Sequence, residues 1–424
     1  MKLKNEVIVT GLALFSMFFG AGNLILPPYL GAQAGNQWLW VVIGFFITAV
    51  FIPVLAILTH AKLQGTMADF AKKIGPKWGI AYAVLMYAIA IALPTPRTAA
   101  VTHEIAIAPF FHSSSLITSA IYFALVLLFA LNRSTVIDAL GKYLTPLIVL
   151  ILAVIIGVAI FYGPGIAHLG TYESPVVSGL LEGYQTFDAI GGAVAGGVLI
   201  VSMKIGFPHL DYKGLRNVIL KSGLIAGAGL FLIYAGLIYA GANYNGTFDQ
   251  GANNVEVLLS LSQQTLGGVG NLFLGILVSL ACFTTAVGIV TGTSDYAKTL
   301  FGGSNKAFKI TAIVSCVLGV LIGQLNVDYI LKVAIPAIYL AYPVTIGLIL
   351  LNLVPNRYAT KKVFSWVIAV VFLFSLPDVI GYFSPETVAV LYGILPLAKE
   401  SLAWLIPGLL TFIIVNLLEK KEVL

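Results

Sequence analysis

The chain alternates between long apolar segments and short polar segments, and this pattern predicts membrane-spanning helices. Each apolar segment is about 20 residues or longer, which is the length that a helix needs to cross a bilayer. A transmembrane β-barrel would instead show segments of about 10 residues with alternating polarity. We predict an all-α polytopic membrane protein with twelve spans, at residues 6–31, 37–61, 77–107, 114–132, 138–162, 178–204, 213–241, 265–300, 306–323, 327–353, 361–381 and 398–418.

The composition agrees with a membrane protein and excludes a soluble one. Of the 424 residues, 59% are hydrophobic and 9% are charged, whereas soluble domains carry about 25% charged residues. Cys282 and Cys316 lie inside apolar segments and provide neither a disulfide framework nor metal-ligand spacing. The sequence contains no phosphate-binding loop, nucleophile elbow or catalytic constellation. We therefore expect the chain not to be an enzyme.

Basic residues occur in alternate loops between the predicted spans. The loops at 108–113, 163–177, 242–264 and 324–326 contain no lysine or arginine. Basic residues lie at both termini and at the links between spans 2 and 3, 4 and 5, 6 and 7, 8 and 9, and 10 and 11. They are Lys2, Lys4, Lys62, Lys72, Lys73, Lys77, Arg133, Lys142, Lys204, Lys213, Arg216, Lys298, Lys306, Lys309, Arg357, Lys361, Lys362, Lys420 and Lys421. This positive-inside pattern predicts that both termini are cytoplasmic. The net charge of +6 then reflects loop topology, and no nucleic-acid partner is expected.

Seven charged residues fall within the spans or at their ends, where a charge is costly and marks a functional candidate. Asp188 lies about ten residues into span 6, and its short side chain cannot reach the membrane surface. Arg97 and Glu104 are seven residues apart in span 3, so they predict either an ion pair that acts as a gate or a structural kink. The remaining four lie close enough to span ends to reach water: Glu182, Asp295, Lys332 and Asp378.

Helix-breaking residues interrupt span 1 near its middle, in the segment FFGAGNLILPP at 18–28. Gly20, Gly22 and Asn23 would free backbone N–H and C=O groups, which need polar partners inside a membrane. Helix N-termini attract anions and freed carbonyls hold cations. The alternative is that the glycines allow close helix packing and that Pro27 and Pro28 only kink or end the helix.

Span 6 carries a second set of polar residues and glycines, five spans later. Its middle reads GYQTFDAIGG, at 183–192, although glycines there also suit close packing. Interrupted helices at corresponding positions of two halves are typical of inverted-repeat transporters. Five is odd, so the two halves would have opposite orientations. We predict one transmembrane transporter domain, with repeat 1 at about 6–162, repeat 2 at about 178–353 and additional helices at about 361–418.

Two adjacent threonines in span 8, Thr284 and Thr285, lie in the apolar segment FTTAVGIVT. Two hydroxyl groups near freed carbonyls of span 1 would suit Na⁺, because hard cations prefer oxygen ligands. The alternative is that each hydroxyl bonds back to its own helix.

These three motifs, in the longer forms FFGAGNLILPPYLG, GYQTFDAI and FTTAVGIVT, resemble the branched-chain amino acid:cation symporters. This is the BrnQ-like LIVCS family of the amino acid–polyamine–organocation superfamily, and the resemblance extends over nearly the whole chain. It implies a leucine-transporter-type (LeuT-type) 5+5 inverted repeat with broken helices 1 and 6, plus two C-terminal helices. It also implies a bacterial inner-membrane protein that imports leucine, isoleucine and valine, driven by an ion gradient that is usually Na⁺.

The resemblance implies site residues as well. The substrate's amino and carboxyl groups would lie at Gly20, Ala21, Gly22 and Asn23. Na⁺ would bind Thr284 and Thr285 together with carbonyls near Ser16 and Phe19. Asn23 and Asp188 occupy places comparable to those of a second ion in sodium-coupled relatives. An aspartate stands where a hydroxyl is usual, so they would form either a second cation site or a proton site. Aromatic residues near the two interruptions either contact the substrate side chain or pack in the core: Phe18, Phe19, Tyr184 and Phe187.

Other functions stay open at this point. A transporter of the same fold could carry another neutral or aromatic amino acid, or could be proton-coupled through Asp188. A channel would favour repeated pore-lining motifs or rings of subunits, and two broken helices in one chain argue against that class. We expect a small-molecule substrate and membrane lipid as partners, no obligatory protein partner, and no cofactor besides the coupling ion.

Overall fold

The computed structural model describes residues 2–131, 136–166, 168–206, 210–244, 248–249 and 251–423. All regular structure in these ranges is helical, which confirms the all-α prediction. The helices up to residue 206 are α1 (Lys2–Phe18), α2 (Ala21–Ala34), α3 (Trp38–Phe46), α4 (Ile52–Leu63), α5 (Pro76–Ala92), α6 (Pro94–Thr102), α7 (Ser115–Leu131), α8 (Val136–Tyr162), α9 (Pro175–Tyr184) and α10 (Asp188–Gly206). They are followed by α11 (Tyr212–Asn243), α12 (Asn254–Leu266), α13 (Gly268–Leu300), α14 (Asn305–Gly323), α15 (Val327–Leu353), α16 (Lys361–Phe383), α17 (Pro385–Ile394) and α18 (Leu405–Val423).

Four of the predicted spans are built from more than one helix. Span 1 comprises α1 and α2, and span 6 comprises α9 and α10. In span 2 a π-helical turn at Ile47–Phe51 joins α3 to α4. In span 3 α5 ends just before Pro94, which has no N–H to donate, and a further π-helical turn at His103–Ile107 follows α6. The other eight predicted spans each match one helix: α7, α8, α11, α13, α14, α15, α16 and α18.

Two helices lie between predicted spans. Helix α12 occupies part of 242–264, which was predicted only as a loop, and α17 occupies the segment before span 12. In the described part of the chain, seven helical segments are long and apolar enough to cross a membrane: Ala21–Leu63, Pro76–Ile107, Tyr212–Asn243, Gly268–Leu300, Asn305–Gly323, Val327–Leu353 and Lys361–Phe383. Shorter apolar helices are Val7–Phe18, Ser115–Leu131 and Pro146–Tyr162. The count of twelve spans therefore stays a prediction.

Local sequence explains where several helices begin. A side-chain oxygen accepts a hydrogen bond from a first-turn N–H group and so satisfies a donor that has no partner within the helix. The five residues that cap α11, α12, α14, α15 and α16 in this way are Asp211, Asn253, Ser304, Asn326 and Thr360.

Loops predicted to be cytoplasmic meet at one end of the molecule. The Lys62 ammonium donates to the carbonyl of Asn352 at 2.6 Å, and the Lys73 ammonium donates to the carbonyl of Ala359 at 2.9 Å. The Tyr212 hydroxyl donates to the carbonyl of Lys62 at 3.0 Å. Three basic loops, between spans 2 and 3, 6 and 7, and 10 and 11, are thereby joined. Arg133, in the loop between spans 4 and 5, lies outside the described residues.

Loops without lysine or arginine are joined in the same way. The Gln37 amide donates to the carbonyl of Tyr172 at 3.1 Å, which links the loop after span 1 to the loop after span 5. The Ser115 hydroxyl donates to the carbonyl of Gln324 at 2.7 Å, which links the loop after span 3 to the loop after span 9. The alternation of loops with and without lysine or arginine thus matches these contacts in the structure.

Candidate substrate and ion site at two helix interruptions

The first interruption lies between α1 and α2, at Phe19 and Gly20. Gly20 is extended, at φ −119° and ψ −163°, and its N–H donates to Oδ1 of Asn23 at 3.0 Å. Phe19 is buried, and its ring stacks on Phe15 and Tyr234 with centroids 5.2 and 6.3 Å away. Helix α2 continues through both prolines to Ala34, so the prolines do not end it. Its first-turn N–H groups face the interruption, as at any helix N-terminus.

The second interruption lies between α9 and α10, at Gln185, Thr186 and Phe187. Phe187 has φ +65°, in the left-handed region that a bulky residue rarely adopts, and such a conformation costs about 1–3 kcal/mol. Hydrogen bonds hold this turn, since the N–H of Phe187 donates to the carbonyl of Tyr184 at 3.1 Å. The N–H of Gly191 donates to the carbonyl of Phe187 at 2.7 Å. Strain of this kind is concentrated at binding and switching sites.

One buried hydrogen-bonded cluster connects the two interruptions. Nδ2 of Asn23, on α2, donates to Oδ2 of Asp188, on α10, at 2.6 Å, and also contacts the hydroxyl of Tyr234. The Tyr234 hydroxyl, from α11, donates to the same Asp188 oxygen at 3.3 Å. All three residues are 4% exposed or less. The structure therefore brings Asn23 and Asp188 together, and it adds Tyr234, which the sequence analysis missed because a tyrosine in an apolar span has no distinctive pattern.

The threonine pair on α13 lies against the first interruption through one of its members. The hydroxyls of Thr284 and Thr285 donate to the carbonyl of Ala281 at 3.0 and 3.1 Å. A Cβ on Gly20 would lie 3.1 Å from Oγ1 of Thr285, so this hydroxyl borders Gly20. Back-bonding uses the proton of the hydroxyl and leaves its oxygen able to accept or to bind a cation. Ser16 is buried in the last turn of α1.

Arg97 reaches this region from α6 and is 2% exposed. Its Nη1 donates to the carbonyl of Gln185 at 2.7 Å, and the guanidinium lies 5.4 Å from the centroid of the Phe187 ring. Of the two alternatives for this stretch, the ion pair between Arg97 and Glu104, both in the described part of the chain, is not formed. Oε1 of Glu104 instead accepts from the N–H of Val327 at 2.8 Å, in the first turn of α15. The sequence indicated Arg97 only as a charge inside a span, not as a neighbour of either interruption.

Aromatic rings form part of the surroundings. Tyr184 stacks on Tyr342 of α15 with centroids 4.5 Å apart, and both rings are buried. The Tyr342 hydroxyl accepts from the N–H of Ala189 at 3.4 Å, in the first turn of α10. Phe19, Tyr184 and Phe187 thus all lie at or next to an interruption, in a buried environment.

A cavity of about 280 Å³ reaches the second interruption. Gln185, at the second interruption, and Tyr172, in the loop before α9, both line it. The other lining residues are Ser178, Leu181, Glu182, Ile335, Ile338 and Tyr339. Burial raises the pKa of Tyr172, with a smaller contribution from Glu182, so the phenol stays protonated.

The described residues around the two interruptions offer oxygen ligands. In the described residues no group of three or more histidine, cysteine, aspartate or glutamate side chains could hold a metal ion. Carboxylate, amide and hydroxyl oxygens are supplied by Asp188, Asn23 and Thr285. Such oxygen ligands suit a hard cation.

Comparison with known proteins decides the family. The chain matches, over residues 3–422, the family model described as branched-chain amino acid transport protein. The chain belongs to this family. The resemblance drawn from the three motifs is therefore confirmed, and so is the expectation that the chain is not an enzyme.

Curated relatives of this transporter cover nearly its whole length. It is 34% identical over 411 residues to the branched-chain amino acid transport system 2 carrier protein of Pseudomonas aeruginosa, covering 95% of this chain and 93% of that one. It is 33% identical over 414 residues to the branched-chain amino acid permease BrnQ of Corynebacterium glutamicum, covering 96% and 93%.

Solved structures share the fold of the transporter. A Na⁺-coupled sialic acid symporter in an outward-open state aligns with a TM-score of 0.62 at 12% identity, covering 97% of this chain and 90% of that one. MhsT in complex with L-phenylalanine aligns with a TM-score of 0.55 at 17% identity, covering 97% and 98%. At these identities the likeness shows a transporter fold of the LeuT type and no more.

Proposed function

We propose that this transporter is a symporter that imports leucine, isoleucine and valine, coupled to Na⁺, by alternating access. Its twelve spans would form the 5+5 inverted repeat with two further helices, in a bacterial inner membrane with both termini cytoplasmic. The observation that carries the proposal is the hydrogen bond from Asn23 to Asp188, because it joins the two interrupted helices at one buried polar site. The names of the curated relatives support the substrate class.

The substrate would lie between the two interruptions. The polar groups of the amino acid would face the α2 N-terminus, at Gly20, Ala21, Gly22 and Asn23. The aliphatic side chain would face Phe19, Tyr184 and Phe187, which are buried and apolar. Discrimination among leucine, isoleucine and valine should be weak, since one methylene is worth only about 1–3 kcal/mol in an apolar pocket.

Na⁺ would bind at Thr285 and Thr284, with carbonyls near Ser16 and Phe19. Thr285 borders Gly20, which supports this placement. Asn23 and Asp188 would form a second cation site or the proton-carrying site. Binding of the ion would hold α1, α2 and α13 in one arrangement and so raise the affinity for the amino acid, because the two ligands favour the same conformation.

The test is uptake of radiolabelled leucine into proteoliposomes that contain the purified protein, with an inward Na⁺ gradient or an inward proton gradient, each alone. Accumulation with Na⁺ alone supports the proposal as stated. Accumulation with protons alone would mean that Asp188 carries the coupling proton. Because its carboxylate is buried, proton coupling through Asp188 is the second candidate mechanism. Accumulation of no branched-chain amino acid under either gradient contradicts the proposal.

We expect Thr285→Ala to reduce Na⁺-driven leucine uptake, by about 10-fold or more at low Na⁺, because an ion ligand is lost. A high Na⁺ concentration should restore part of the uptake rate, because the substitution lowers the affinity for Na⁺. The measurement is the Na⁺ concentration that gives half-maximal uptake. Thr299→Ala is the matched control, because Thr299 is exposed on the same helix and makes the same bond to the residue four positions earlier, Asp295. An unchanged Na⁺ dependence in Thr285→Ala would remove this ion site.

A further inference from the structure

Arg97 is a buried cation whose bonding capacity is largely unused. A guanidinium carries five N–H donors. In the described residues the structure records one hydrogen bond from it, to the carbonyl of Gln185, and Nε is buried without a partner. No ion pair within 4.0 Å links Arg97 to Asp188 or any other described acidic side chain. A buried charge in this condition is costly unless an anion completes its surroundings.

A second positive element lies next to Arg97. Arg97 lies against the first turn of α2, where a Cβ on Gly22 would be 2.5 Å from Nη2. The N-terminal end of a helix carries partial positive charge and unpaired N–H groups. A cation next to a helix N-terminus is unfavourable by itself. An anion that accepts hydrogen bonds from both removes the repulsion and satisfies donors on each side.

We infer that Arg97 binds the α-carboxylate of the transported amino acid. This inference rests on the proposed function and assigns one more residue to its site. Arginine suits this role because two parallel N–H groups of its planar guanidinium can donate to the two oxygens of a carboxylate. Gly22 is then needed for space, since any side chain at that position would displace the guanidinium.

Asp188 completes the recognition of a zwitterion. Its carboxylate lies within electrostatic range of Arg97 without contacting it. An α-amino acid between them would place its carboxylate toward Arg97 and its ammonium toward Asp188 and the carbonyls at the interruptions. Amines without the carboxylate, or acids without the ammonium, would leave one of the two buried charges uncompensated.

The test compares ligands that differ only in the carboxylate. Purified wild-type protein, Arg97→Gln and Arg97→Lys are assayed in Na⁺ by equilibrium binding of radiolabelled leucine and by competition with leucinamide. Wild type should prefer leucine to leucinamide by about 100-fold. Arg97→Gln should lose about 10- to 100-fold in leucine affinity, with the preference reduced to a few-fold, because a charged hydrogen-bond partner is lost. The leucine affinity of Arg97→Lys should lie between those of wild type and Arg97→Gln. Lysine keeps the positive charge but lacks the paired N–H donors of the guanidinium.

The ratio of the two affinities separates recognition from structure. If Arg97 only supports the turn at Gln185, its replacement should weaken the binding of leucine and of leucinamide equally. An unchanged ratio of the two affinities in either variant therefore overturns the inference. Arg357→Gln is the control, because Arg357 is exposed in the loop before α16. If wild type binds a different amino acid, the proposed substrate fails, and the same comparison of that acid with its amide still tests Arg97.

Gly22→Ala offers an independent test that leaves Arg97 in place. The added methyl group would push on Nη2, so leucine affinity and the preference over leucinamide should both fall. Combined with Arg97→Gln, the effects should be less than additive, because both changes remove one interaction. Gly288→Ala is the matched control, since it lies on α13 with open space around its added methyl group. Full additivity would contradict the inference.

Discussion

Asp188→Asn will abolish accumulation of leucine against its gradient while the protein stays folded. Asparagine has nearly the same shape as aspartate, and its amide oxygen can still accept from Asn23 and Tyr234, whose bonds both end on Oδ2. It can neither carry a proton nor offer a negative charge to a cation. Loss of a charged ligand should weaken cation binding by about 10- to 150-fold. The measurement is leucine accumulation in proteoliposomes under each gradient.

Exchange, measured at saturating leucine so that a weaker contact with the substrate ammonium does not limit it, separates the two coupling roles open to Asp188. If the carboxylate carries the coupling proton, Asp188→Asn should still exchange internal for external leucine, because no net proton movement is required. If it binds Na⁺, exchange should also fall and should recover at high Na⁺. The control is Asp249→Asn, since Asp249 is exposed between α11 and α12. Accumulation at the wild-type level in Asp188→Asn would exclude Asp188 from coupling.

Local composition indicated the two places along the chain at which one helix ends and the next begins within a predicted span. Glycine and asparagine in the middle of an apolar run are informative because each destabilises a membrane-spanning helix, whichever residues lie elsewhere in the chain. In the structure α1 ends at Phe18 and α10 begins at Asp188, next to the motifs on which the prediction rested. The same motifs carried the family resemblance, which the family match confirms.

The partners within the site could not be predicted in this way. Tyr234 enters from α11, and Arg97 enters from α6, because of how the helices pack. Nothing within either span distinguishes these side chains from a packing tyrosine or an arginine that reaches the membrane surface. Glu104 shows the opposite error. Its spacing from Arg97 on one helix allowed an ion pair between them, whereas the actual partner of Glu104 is the N–H of Val327, far along the chain. Spacing within one helix describes only that helix.

The helix within the predicted loop at 242–264 was missed for a different reason. Helix α12, Asn254–Leu266, is only 13 residues long and polar residues interrupt its apolar ones, so a search for membrane-length apolar runs passes over it. Its local signals were nevertheless present. Asn253 caps the helix and Glu256 accepts from the N–H of Asn253, which is a capping box that can be recognised in sequence.

The packing of α2 against α11 determines whether Asn23 and Tyr234 can meet. Gly31 and Gly241 allow the backbones of the two helices to touch. A Cβ on Gly31 would overlap the carbonyl of Ile238, and a Cβ on Gly241 would overlap the carbonyl of Pro28. Each glycine lies about two turns beyond the site residue on its own helix, so both contacts occur on the faces that carry the site. Close approach through small residues is a common way for membrane helices to associate.

Gly241→Ala should therefore both destabilise the protein and uncouple transport. The backbones cannot yield as a flexible side chain would, so α2 and α11 must move apart, at a cost of about 1–3 kcal/mol or more. That displacement also lengthens the contact between Asn23 and Tyr234, and leucine accumulation should fall further than the amount of folded protein does. The measurements are thermal stability in detergent and uptake per folded molecule. Gly393→Ala is the control, because its methyl group would meet open space and alanine favours a helix. If Gly241→Ala lowers stability but leaves uptake per folded molecule unchanged, the close approach serves folding alone and the site does not depend on it.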